Sequence, residues 1–203
     1  WVSIVGGQRL ELMKIGVPIS HEKKNAKVLV LYPDAVDCMT DDDIELLLQK
    51  NILTDARALE KLIERGFGKN FGASVAPLPV TSAAERFTTH RVNGKYAGMR
   101  WKASMYVTGS AVMGYTITDG DGKTESLGEY FDVLNSEKKY GIANALVKTY
   151  DGRGEKLSTW AVFGYSLWQD IVSSAKRNQI IGAIDDICGR ALPAVLLSPE
   201  QVT

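Results

Sequence analysis

The chain reads as an α+β domain, with a largely antiparallel sheet packed against helices from residues 40–66 and 174–192. Three observations predict this. Asp119-Gly120-Asp121-Gly122 and Asp151-Gly152-Arg153-Gly154 repeat one turn pattern, D-G-x-G, between stretches that alternate apolar and polar. Asp-Gly between alternating runs signals a hairpin, because Gly supplies the positive φ of a tight turn, so residues 101–165 read as an antiparallel meander. Val28-Leu29-Val30-Leu31-Tyr32 is a continuous apolar run, the pattern of a strand buried on both faces at the centre of a sheet. Apolar residues at helical spacing then appear twice, after Thr40 and before Pro193.

The elements follow in order. Residues 1–26 read as an amino-terminal arm with one or two short strands, split by Gly6-Gly7 and Pro18, and residues 27–203 as one domain. Pro33-Asp34 ends the first long strand. Thr40 is placed to cap a helix whose first turn holds Asp41, Asp42 and Asp43, where negative charge complements the helix dipole. Ile44, Leu47 and Leu48 form its inward face. Thr54-Asp55 reads as a second helix start, with Leu59, Leu62 and Ile63 facing inward and Gly66 as the stop. Ala73–Val80 is predicted as an edge strand, since Pro77 and Pro79 cannot donate to a central ladder. Residues 81–100 read as irregular, with a small hairpin at Asn93-Gly94, and as a covering or contact loop. Trp101 to Ile117 alternates as one long strand, bent at Gly109 and Gly114. Leu157–Tyr165 carries large residues on both faces, which predicts a central or doubly covered strand. Ile180, Ile181, Ile184, Ile187, Cys188 and Ala191 stripe the closing helix.

Composition limits function. In 203 residues, 45% hydrophobic content is too high for disorder, and 24 basic residues balance 24 acidic ones. A balanced chain offers no electrostatic argument for nucleic acid. Charge clusters locally, with an acidic stretch from Asp34 to Glu45 and a basic one comprising His90, Arg91, Lys95, Arg100 and Lys102. No run approaches the ~20 apolar residues of a membrane helix. Trp1 in place of an initiating Met reads as the start of a processed or truncated product.

The motif search yields no catalytic signature. Gly66 to Gly72 has glycines without phosphate-loop spacing. The D-G-x-G turns lack the glycine position of a calcium loop. His21 and His90, the only histidines, exclude a His-rich metal site, and no G-x-S-x-G elbow exists. A Cys38–His90 nucleophile pair has nothing to support it. Asp41-Asp42 and Asp185-Asp186 are helical neighbours that diverge by about 100° and form no converging dyad. Cys38 and Cys188 lack metal-ligand spacing, and their pairing stays open. The expectation is therefore a protein that is not an enzyme, with no catalytic or metal-binding residues and no cofactor. Trp160, Tyr165 and Trp168, near the last strand and closing helix, are candidate partner-binding anchors alongside Arg91 and Arg100 of the basic stretch.

Lys27-Val-Leu-Val-Leu-Tyr32, the helix from Ala56 to Gly66, Ala145 to Gly154, Leu157 to Gly164 and the terminal amphipathic helix follow one another in an order that resembles bacterial periplasmic and outer-membrane lipoproteins. These include the curli-secretion lipoproteins, the TolB amino-terminal domain and the ABC-transport auxiliary lipoproteins. The resemblance spans roughly residues 27–192. It departs at residues 81–100 and around Trp168, which look like insertions, and the lipidated cysteine is not visible. It implies a structural or assembly subunit of a cell-envelope complex in secretion, transport or a motor, located in the periplasm or associated with the outer membrane. Such a subunit would contact other proteins, self-associate, and meet the membrane only through an unseen N-terminal anchor. The alternatives are a small-molecule or lipid-binding periplasmic domain with a pocket between sheet and helices, an enzyme of unfamiliar type, and a cytoplasmic location.

Overall fold

The computed structural model describes residues 2–5, 28–80, 82–87, 100–104, 106–107, 110–111, 114–132, 134–135, 137–164, 180, 183 and 187. Of these, 2–5, 82, 84–87, 100–104, 106–107 and 110–111 are described by their backbone alone. The fold is α+β, as the sequence predicts. Twelve strands and three α-helices are described. The strands are β1 (Val2–Val5), β2 (Val28–Leu31), β3 (Ile52–Asp55), β4 (Ala73–Pro77), β5 (Ser82–Phe87), β6 (Arg100–Ser104), β7 (Tyr106–Val107), β8 (Ser110–Ala111), β9 (Tyr115–Asp119), β10 (Thr124–Phe131), β11 (Lys139–Tyr150) and β12 (Lys156–Phe163). The helices are α1 (Pro33–Asp37), α2 (Asp41–Leu48) and α3 (Ala56–Leu62).

One ten-stranded sheet runs β1-β2-β3-β12-β11-β10-β5-β6, with β9 joining β11 and β4 joining β9. Its two halves differ in kind. β1, β2, β3 and β12 are mutually parallel, whereas β12, β11, β10, β5 and β6 alternate in direction. β2 is buried at every position, as its unbroken apolar run requires. β12 lies between β3 and β11 and is buried from Trp160 to Phe163, the central placement its two large faces predicted. Val2–Val5, in the segment read as an arm, adds to the sheet beside β2.

The helices form as their caps dictate. In α2, Thr40 Oγ1 accepts from Asp43 N at 3.2 Å while Asp43 Oδ2 accepts from Thr40 N at 3.0 Å, a reciprocal capping box. Ile44, Leu47 and Leu48 are its buried face. α1 is an added element, since Pro33 opens a helix as well as ending a strand. The α3 chain continues into a wide turn, Ile63–Phe67, which breaks at Gly66 with φ +95°. The main core joins these helices to one sheet face through Leu31, Ile44, Leu59, Leu62, Trp160 and Val162. Ile180, Ala183 and Ile187 of the closing segment are helical and buried, and Asn51 Nδ2 donates to the Ile187 carbonyl at 3.0 Å.

Three expectations change. Residues 52–55 form a parallel strand, not part of a helix, with Thr54 and Asp55 at its end and Asp55 capping α3. Residues 81–100 are not wholly irregular, because β5 pairs with both β10 and β6. The Asn93-Gly94 hairpin lies outside the described residues. The meander holds for β10-β11-β12 only, and the single strand expected from Trp101 to Ile117 is instead β6, β7, β8 and β9, with β7 and β8 pairing with each other in a separate two-stranded sheet. β9 pairs with β4, and with β11 at Ile117–Ile142, rather than with β10. The two D-G-x-G turns thus differ. The second closes the β11–β12 hairpin, with Asp151 Oδ1 accepting from Arg153 N and Glu155 N at 2.8 Å each. The first has Asp121 and Gly122 both at positive φ, as in a type I′ turn, yet it is tied to β4 through Gly120 N and Thr124 Oγ1, both donating to the Gly72 carbonyl.

Candidate functional site

Trp160 is fully buried and meets Phe71 edge-on at 5.0 Å between ring centroids. It belongs to the core and is no surface anchor, and its Nε1 has no hydrogen-bond partner among the described residues. Arg100 begins β6, the last strand of the sheet. Arg91, Tyr165 and Trp168 lie outside the described residues, as do His21, His90 and Cys188. Cys38 is a free, exposed thiol. Among the described residues no group of three or more His, Cys, Asp or Glu side chains is placed to hold a metal ion.

At the carboxyl ends of the parallel strands, where ligands bind in open α/β sheets, the structure gathers groups that the sequence did not mark together. Asp55 ends β3, is almost wholly buried and accepts from Ala58 N at 3.2 Å. Burial raises its carboxyl from the usual 3.8 to about 6, against the opposing pull of the α3 amides and Arg57. Tyr115, at the start of β9, donates to Glu60 of α3 at 2.9 Å. Burial and that carboxylate raise its hydroxyl to about 12. Thr54 Oγ1 donates to the Leu31 carbonyl, locking β3 to the end of β2. Gly164 sits where β12 stops, bonding Ala143 O on one side and Tyr115 N on the other. Each of these polar groups has a structural partner: Asp55 caps a helix, and Tyr115 and Glu60 satisfy each other. The arrangement orders a helix against two strands and presents no nucleophile–base pair.

A cleft of about 430 Å³ opens at the opposite end of the parallel strands, between α2, the Arg65–Asn70 turn and the β11–β12 hairpin. Its frame is rigid. Thr149 Oγ1 and Ser158 Oγ both donate to the Leu48 carbonyl, at 2.8 and 2.7 Å, fixing the end of α2 to the hairpin. Asn70 Nδ2 donates to the Tyr150 carbonyl at 2.9 Å. Arg65 bonds the Val36 and Met39 carbonyls and pairs with Asp41, so its charge is already spent. Leu48, Phe67 and Leu157 supply the apolar lining, and Glu45, Lys69 and Asp151 the charged rim.

The two ends of the sheet contrast in chemistry. Among the described residues β1 pairs with β2 alone and β6 with β5 alone. β6 carries Arg100 and Lys102. β1 is Val-Ser-Ile-Val, with neither charge nor proline.

Comparison with known proteins corrects the envelope resemblance. No family profile matches the chain, and no curated protein matches it. A solved structure similar to it is PurLQS from Thermotoga maritima, with a TM-score of 0.43 and 11% identity over 91% of this chain and 97% of that chain. PurLQS is not one of the curli-secretion, TolB or ABC-transport auxiliary lipoproteins. The cell-envelope assignment, with its secretion, transport and outer-membrane roles, is withdrawn, and at this degree of similarity PurLQS lends the chain no activity in its place.

Proposed function

We propose that this chain is a non-enzymatic domain that works by protein association, joining a second copy of itself edge to edge through β1. The observation that carries this reading is the chemistry of the β1 edge. An open strand edge presents unpaired amides and carbonyls, and proteins guard such edges with charge or proline. β6 has that guard in Arg100 and Lys102, while Val2-Ser3-Ile4-Val5 has none. Pairing β6 with its own copy would bring like charges together, whereas β1 meets its copy without repulsion. Equal numbers of acidic and basic residues remove the general charge repulsion that keeps chains apart.

Light scattering over a wide concentration range tests this. The expected result is a mass that rises from one chain to two, and a return to one chain in Ile4→Lys with an unchanged circular dichroism spectrum. A single-chain mass at every concentration, or a dimer unaffected by Ile4→Lys, contradicts it.

A further inference from the structure

The cleft beside the β11–β12 hairpin carries an inference independent of the association reading, since it lies apart from β1. We propose that it binds a small zwitterion with an aliphatic body, the chemistry of a free α-amino acid. Its volume of about 430 Å³ is in the range of small-ligand sites, about 300–1,000 Å³. The argument rests on which groups are already used. Arg65 is committed to two carbonyls and Asp41, so it adds no free positive charge. Lys69 and Glu45 both line the cleft, and neither side chain has an ion-pair or hydrogen-bond partner among the described residues. One free ammonium and one free carboxylate thus face a shared space floored by Leu48, Phe67 and Leu157.

This pattern selects among ligand chemistries. A phosphate or dicarboxylate would find one free cation and would be repelled by Glu45 and by Asp151 on the rim. A wholly apolar ligand would contact Leu48, Phe67 and Leu157 and leave the charges of Lys69 and Glu45 unused. A zwitterion satisfies both, with its carboxylate on Lys69 and its ammonium on Glu45, while its side chain covers the apolar floor. The frame requires no rearrangement, because Thr149, Ser158 and Asn70 already hold the walls.

Calorimetric titration of the full chain with L-leucine tests the proposal, alongside isoamylamine and 4-methylvalerate, which each keep one charge. Leucine is expected to bind, and each analogue to bind about tenfold more weakly, the usual effect of losing a charge-assisted hydrogen bond. Lys69→Gln is expected to abolish the advantage of leucine over isoamylamine, and Glu45→Gln its advantage over 4-methylvalerate. Both substitutions are at exposed positions, and unfolding curves verify the fold. No binding of leucine at about 10 mM, weaker than any affinity of consequence, overturns the proposal. Equal affinity for all three compounds, or variants that keep the wild-type preference, also overturns it.

Discussion

Asp55 shows how one residue serves two opposed demands. Its carboxylate caps α3 by accepting from Ala58 N, but it is buried at the end of β3, and burial favours the neutral acid. A carboxyl raised from 3.8 to about 6 in the fold binds its proton more tightly there than in the unfolded chain. Its contribution is therefore fully present below pH ~4 and is lost as pH rises through about 6, an upper figure of about 3 kcal/mol. Asn caps helices as well as Asp does. Asp55→Asn is thus expected to be more stable than the wild type in urea unfolding at pH 7, with the difference closing below pH ~4. A constant difference across that range contradicts this. Gly164 is constrained by space. A Cβ there would sit 2.5 Å from the Ala143 oxygen and closer still to the Tyr115 oxygen. Both are backbone atoms of paired strands, so Gly164→Ala is expected to cost more than about 2 kcal/mol in the same measurement.

At the scale of elements, the parts legible in the sequence are those whose signal is local. Thr40 and Asp43 announce α2 by side-chain chemistry within one turn, and the structure returns the full capping box. Thr40→Ala is expected to lose about 1 kcal/mol in urea unfolding, and an unchanged midpoint would show the box to be idle. The buried run of β2 and the stop at Gly66 were equally local. β3 was hidden because four buried residues are too few to show a period, and Thr54-Asp55 caps the next helix whether or not a strand precedes it. The first D-G-x-G turn is legible as a turn, but which strands it joins depends on Gly72, 48 residues before Gly120 in the chain and tied to it by a hydrogen bond. The cleft was invisible for the same reason: Glu45, Lys69 and Asp151 converge only once Leu48 is tied to Thr149 and Ser158. Aromatic chemistry alone marks Trp160 as a contact residue, and burial between β3 and β11 makes it core instead.

For the whole molecule, composition and topology bear on function more than any single motif does. The sheet joins a parallel half, packed against α1, α2 and α3, to an antiparallel half ending in a charged edge. The element order resembled envelope lipoproteins because strand, helix, hairpin and closing helix recur in many folds, and such a sequence of elements does not specify a role. Among the described residues the two sheet ends differ in charge, and the proposed association rests on that difference. The most direct test is amide hydrogen exchange at Val2–Val5, followed from dilute to concentrated protein. Association through β1 predicts that the amides not bonded to β2 become protected as concentration rises, while those of β6 do not change. Amides of β1 that exchange equally fast at every concentration would contradict association through this edge.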